Sequence, residues 1–158
     1  MRLQDKLTID EIYDIADIKQ AASLSYVYIQ ELQAAKKRTG IQETSKGCEY
    51  KKIEWLMSQE NTKLFLARYD TMPVGFSYAT ALEEEYMIEN YYVIRDARNK
   101  DAGKKIIQKN LDYASENGFF VAAAIVLSEN ISSQRVFESM HFSRREEQDY
   151  LHYERYLR

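Results

Sequence analysis

The chain has 158 residues, 45% hydrophobic and 30% charged, with a net charge of −3; that is room for a substantial core and an ordinary water-soluble composition. A lone cysteine, Cys48, excludes an internal disulfide, and with only two widely spaced histidines beside it no zinc ligand set is recognisable, so no metal is expected. The mild acidity, with no basic block beyond Lys36-Lys37-Arg38, argues against a nucleic-acid partner. The longest apolar run, residues 119–127, is too short for a membrane helix, and the Met-Arg-Leu-Gln-Asp-Lys start lacks the apolar run of a secretory signal, so a cytoplasmic protein with no membrane association is expected.

One proline and five glycines leave no flexible linker, and no repeat is found, so residues 1–158 are read as a single domain. Leu7 to Ile12 reads as a first strand, and Ile15, Ile18, Ala22, Ile29 and Leu32 recur at helical spacing after it. Thr39-Gly40 breaks that helix, and a polar loop runs to Gly47 before a shorter helix with Tyr50, Ile53, Leu56 and Met57. Lys63 to Tyr69 and Val74 to Leu82 read as a hairpin joined through Asp70-Thr71-Met72-Pro73, with the proline at the strand edge or outside it. The second strand sets bulky Val74, Phe76, Tyr78 and Thr80 against small Gly75, Ser77, Ala79 and Ala81, a face that could admit a close-packed helix.

After the acidic turn Glu83-Glu84-Glu85 comes a strand to Ile94, whose alternation puts Glu85, Met87, Glu89, Tyr91 and Val93 on one face. A short basic turn leads from it into a helix with Ile106, Ile107, Leu111 and Ala114 on one side, ended by Asn117-Gly118. A turn that feeds a helix start presents unpaired backbone N–H groups and the positive end of the helix dipole, which suits a pyrophosphate. Phe119 to Leu127 is apolar on both faces, as strands inside sheets are. Ser132 or Ser133 is expected to cap a short helix bearing Val136 and Met140, and residues 142–157 read as a final hairpin. Together these give an α/β (α+β) fold, a mixed central sheet with helices on both faces.

The stretch Arg98-Asn99-Lys100-Asp101-Ala102-Gly103-Lys104 resembles the acyl-CoA loop of the GNAT family of N-acetyltransferases: Arg or Gln, two residues, Gly, one residue, Gly or Ala. Asp101 stands at the first glycine. The segment Asn130 to Phe142 resembles the family's Asn followed by a short helix ending in Tyr-x-x-x-Gly-Phe, with Phe137 at the tyrosine and His141 at the glycine. Ile88-Glu89-Asn90-Tyr91-Tyr92-Val93 is similar to the Leu-Glu-Asp-Leu-Tyr-Val strand of the spermidine/spermine acetyltransferase branch. The resemblance implies a GNAT fold of about six to seven strands, in which the strands ending at Ile94 and Leu127 splay into a V-shaped acyl-CoA cleft.

By the same resemblance the chain is expected to move an acetyl group from acetyl-CoA to a primary amine in a ternary complex. The backbone of Arg98, Asn99, Lys100, Asp101, Ala102, Gly103 and Lys104 would hold the pyrophosphate, and Arg98, Lys100 and Lys104 would add positive charge. Asn130 would bond the pantetheine arm, and Phe137 would line it without the proton that the family's tyrosine gives the leaving thiolate. A thiol pKa near 8.5 still leaves a tolerable leaving group. Glu89 would be the base that deprotonates the incoming ammonium, and a backbone N–H near Tyr91, Tyr92 and Val93 would meet the oxyanion. Asp101 tolerates a positive φ, but about 4 Å from a phosphate its charge would cost roughly 1 kcal/mol when hydrated and about 4 at intermediate dielectric. The run Glu83, Glu84, Glu85 with Glu89 would favour a cationic small molecule, a polyamine or an amino-acid-like amine, and homodimers are common in the family. The alternative is a member that has lost catalysis and serves as a CoA-binding or regulatory interaction module.

Overall fold

A computed structural model describes residues 6–36, 44–98, 101–128 and 130–157. Seven strands form one sheet in the order β1-β2-β3-β4-β5-β7-β6: β1 (Leu7–Glu11), β2 (Thr62–Tyr69), β3 (Met72–Leu82), β4 (Glu85–Val93), β5 (Val121–Leu127), β6 (Ser143–Glu146) and β7 (Tyr150–Tyr156). All neighbouring pairs are antiparallel except β4 and β5, which α3 (Ala102–Glu116) joins as a crossover helix. The expected break at Thr39-Gly40 lies outside the described residues. The loop expected to reach Gly47 ends sooner, because Ser45 caps α2 (Lys46–Met57) by accepting from the Cys48 N–H at 3.1 Å.

Helices cover both faces. On one, α1 (Ile15–Lys36) and α2 bring Ile18, Ala21, Leu24, Ile53 and Leu56 against Leu64, Leu66, Phe76 and Tyr92. On the other, α3 and α4 (Ile131–Ser139) bring Ile107, Leu111, Ala114 and Phe137 against Ala79, Tyr86, Ile88, Ala122 and Ala124. The small face of β3 receives α3: a Cβ on Gly75 would lie 2.8 Å from the Ile106 Cδ1 and 2.7 Å from the Tyr92 carbonyl oxygen. Beside it the fully buried Asn110 donates to Ser77 Oγ and to the Ile106 carbonyl, both at 2.9 Å, and accepts from the Tyr86 hydroxyl at 2.7 Å.

Two details depart from the sequence reading. The β2–β3 turn is only Asp70-Thr71, with Asp70 in the left-handed region at φ 55°, and Pro73 falls inside β3, beside a register shift. In β4 the strict alternation fails. Tyr78 pairs with Asn90 but Ala79 pairs with Ile88, so Glu89 is an extra residue, a bulge. Tyr86 and Ile88 pack on the α3 side before it, and Tyr91 and Val93 after it. Glu85, Met87 and Glu89 therefore do not share a face with Tyr91 and Val93.

Replacement of Asn110 by Ala strands the Tyr86 and Ser77 hydroxyls in the core, and the expected loss is about 2–4 kcal/mol of stability, read as a lower urea midpoint.

Candidate active site

Parallel pairing between β4 and β5 runs from Glu85↔Val121 to Ile88↔Ala124 and stops. Beyond it β4 continues to Val93 and β5 to Leu127 without bonding each other, and the gap is the mouth of a cleft. Three adjoining cavities occupy this region, and Tyr91 lines all of them. One of about 330 Å³ lies under α1, between Tyr28, Ile29, Leu32, Glu89, Ile125 and Phe137. A second of about 490 Å³ is a groove between the starts of α3 and α4, with Asp101, Gly103, Lys104 and Arg135 on its walls. A third of about 250 Å³ sits beside Glu31, Arg95 and Arg98.

The bulge and the gap set the chemistry of β4. Ile94 N–H donates to the Val74 carbonyl at 2.9 Å, so by antiparallel alternation Tyr92 also faces β3, while the N–H groups of Tyr91 and Val93 face the side that β5 has left. Asn90 Oδ1 accepts from the Tyr91 N–H at 3.1 Å, which leaves Val93 with its amide turned to the cleft. Glu89 is exposed on the cavity wall, its Oε2 accepting from Thr80 Oγ1 at 2.8 Å.

Of the loop residues, Asn99 and Lys100 lie outside the described residues. Asp101 adopts φ 63°, ψ 1°, the left-handed conformation that a glycine would take, and its side chain makes no cap bond to α3. Lys105 N–H already donates to the Asp101 carbonyl, so the amides of Ala102, Gly103 and Lys104 have no partner within the helix. Ala102 is buried, Gly103 touches the Tyr91 hydroxyl, and Lys104 lines the groove. Arg98 lines the groove, and its charge is shared with α1. Its Nη2 pairs with Glu31 Oε2 of α1 at 2.7 Å, its Nε donates to the Val93 carbonyl at 2.9 Å, and its guanidinium lies 5.6 Å from the Tyr92 ring centre. The Tyr92 hydroxyl donates to the other oxygen of Glu31 at 2.8 Å; burial, then that bond, pushes its pKa up.

Asn130, not either serine, caps α4: its Oδ1 accepts from the Ser133 N–H at 3.2 Å, and the serines fall inside the first turn. Phe137 is buried, edge-on to Tyr91 at 6.0 Å and stacked on Tyr153 at 5.6 Å. Arg135 was not picked out by the sequence reading, although its place on the face Ile131, Ser132, Arg135, Val136, Ser139 of α4 follows from helical spacing. Glu83 and Glu84 form the turn after β3 and Glu85 opens β4, all at the opposite end of that strand from the cleft, so of the four glutamates only Glu89 reaches the cavity. Among the described residues no cluster of His, Cys, Asp and Glu could hold a metal ion, and no helix is long and apolar enough to cross a membrane.

Residues 26–142 match the model of the acetyltransferase (GNAT) family, which is more than half of the chain. The chain belongs to that family. As a GNAT member it is an N-acetyltransferase with the family's mixed sheet. Its fold is similar to PaiA N-acetyltransferase from Thermoplasma acidophilum in complex with coenzyme A, at 14% identity and TM-score 0.79, covering 95% of this chain and 98% of that one. YncA from Salmonella typhimurium with its cofactor acetyl-CoA is similar at 16% identity and TM-score 0.76, covering 97% and 95%. The ribosomal-protein-S18-alanine N-acetyltransferase from Escherichia coli is similar at 14% identity and TM-score 0.71, covering 96% and 94%. At these identities the likeness is one of fold. No curated protein matches the chain by sequence.

The capping geometry predicts that Asn130→Ala costs about 1 kcal/mol and Ser132→Ala less than about 0.5, compared by urea denaturation.

Proposed function

We propose that the protein binds acetyl-CoA along the α3–α4 groove and between β4 and β5, and acetylates a primary amine that enters under α1. The observation that carries this reading is the groove itself. Its α3 end offers the amides of the first helical turn, with Lys104 and Arg135 adding positive charge, and it runs into the place where the two central strands part. Those donors fit a diphosphate, and the parted strands leave the amide of Val93 beside the path of an extended arm. The likeness to structures that hold CoA or acetyl-CoA supports the same reading.

Bound acetyl-CoA supplies the acetyl group as a thioester whose C–S bond breaks as the C–N bond forms. Glu89 takes a proton from the ammonium of the acceptor, directly or through water, so that the nitrogen lone pair is available. The Val93 N–H donates to the carbonyl oxygen as its charge grows. Phe137 carries no proton for the departing sulfur. Of the two phenols on the cavity under α1, Tyr91 has its hydroxyl at Gly103, which leaves Tyr28, whose burial raises its pKa and keeps it a donor.

The acceptor class follows from charge. A polyamine is best held by a row of carboxylates, and the acidic turn is at the far end of β4. Glu31 is already paired with Arg98. Among the described lining residues one carboxylate, Glu89, lacks a cationic partner, and set among Ile29, Leu32, Ile88 and Ile125 it suits an amine with a single positive charge, such as an amino-acid-like amine.

Isothermal titration is expected to give one acetyl-CoA site per chain, and absence of binding would reject the reading in favour of an interaction module. Asp101→Gly is expected to tighten that binding about fivefold, the effect of removing a hydrated charge near phosphate worth about 1 kcal/mol. With an accepted amine, Glu89→Gln is expected to lower kcat about a hundredfold or more at neutral pH; an unchanged rate across the pH range would remove Glu89 from the role of base.

A further inference from the structure

The Tyr91 side chain crosses from β4 to the start of α3. A Cβ built on Gly103 would lie 2.1 Å from its hydroxyl oxygen and 3.2 Å from Cζ, so only glycine leaves room for the phenol there. The ring is held edge-on by Phe137. Among the described residues the hydroxyl finds no hydrogen-bond partner, and the half-buried side chain lines the groove. The hydroxyl is a donor left for whatever enters the groove, water or ligand. Burial, against a smaller opposing pull from Arg98, pushes its pKa far above the usual phenol range, so it keeps its proton.

Apart from the Asp101 carboxylate, the groups that line the groove beside Tyr91 include several donors. The amides of Gly103 and Lys104 lack helical acceptors, and Lys104 and Arg135 stand on the groove walls without a carboxylate partner among the described residues. Among the described residues that line the groove the negative charge is on Asp101, and it also acts on Tyr69, whose pKa is raised by burial and then by that carboxylate. In the strand pattern that residues 88–93 resemble, leucine stands at the position of Tyr91, and leucine donates nothing.

We propose that the Tyr91 hydroxyl is a side-chain donor to the anion held at the start of α3, bonding a phosphate oxygen of the acyl donor beside the amides of Gly103 and Lys104. This rests on the reading that the groove takes acyl-CoA. Tyr91 thereby acts at the diphosphate and not at the reacting carbonyl, and Gly103 serves the tyrosine as much as the helix.

The test is titration of the full chain with acetyl-CoA and, separately, with inorganic pyrophosphate, for wild type and Tyr91→Phe. The conservative variant keeps the ring packing and removes only the hydroxyl. Expected is a rise of about five- to tenfold in Kd for both ligands, with S-acetylpantetheine, which lacks the diphosphate, giving the same KM in both proteins. Equal acetyl-CoA affinity in the two proteins would overturn the inference while leaving the acyl-CoA reading intact. Loss of S-acetylpantetheine affinity in the variant would overturn it too, by assigning Tyr91 to the arm. Failure of wild type to bind acetyl-CoA would overturn both. Gly103→Ala gives a second reading of the same contact: it should weaken pyrophosphate binding by displacing the phenol, and adding Tyr91→Phe to it should cost nothing further. A further fall in the double variant would mean that the two residues act apart.

Discussion

The rest of the molecule depends on how briefly β4 and β5 stay together. Four residue pairs of parallel ladder are enough to join the two halves of the sheet, and no more than that is made. Had pairing continued to Val93 and Leu127, the amides of β4 would be spent on the ladder and the space under α1 would be filled by strand. The bulge at Glu89 falls where the pairing ends. One added residue bends the strand, turns Glu89 toward the α1 side and returns Tyr91 and Val93 to the α3 side. A carboxylate over one face and an aromatic bridge under the other thus come from a single irregularity.

Helix α1 is the roof of the cleft and is fastened at both ends. Near its start Asp17 pairs with Arg68 of β2, and Gln20 accepts from the same arginine at 2.8 Å. Near its end Glu31 receives Arg98 and the Tyr92 hydroxyl. Arg98 therefore joins the roof to the loop that opens α3, and the positive charge that the resemblance expects it to add near the pyrophosphate is partly neutralised by Glu31. Lys104 and Arg135, from two helices, line the same groove as Arg98 and, among the described residues, have no carboxylate partner.

Much of this was legible in the sequence, for identifiable reasons. Helix α3 announces itself through Ile106, Ile107, Leu111 and Ala114, all of which are buried, and the small face of β3 through Gly75, Ser77 and Ala79, against which α3 lies. The order of elements was readable because each apolar run ends at a turn. The bulge was not, since tyrosines and branched residues stand on both sides of Glu89-Asn90 and no glycine marks the break. The cap of α4 was misassigned because Asn130, Ser132 and Ser133 are all cap-forming types, and only backbone geometry separates them. The acidic turn misled for a simpler reason: composition gives charge, while the end of the strand that carries it decides whether a substrate meets it. The contact between Tyr91 and Gly103 joins residues on different elements and has no local signature.

The buried Asn110 has a role beyond satisfying hydroxyls. It fastens one turn of α3 to Ser77 on β3 and Tyr86 on β4 at once, and those two strands are rigidly paired. A helix advances about 1.5 Å per residue and about 5.4 Å per turn, so sliding by even one residue would break both bonds. The asparagine is an index pin. It fixes the axial setting of α3, two turns upstream of which the helix start must meet a hydroxyl from the neighbouring strand to within a fraction of an ångström.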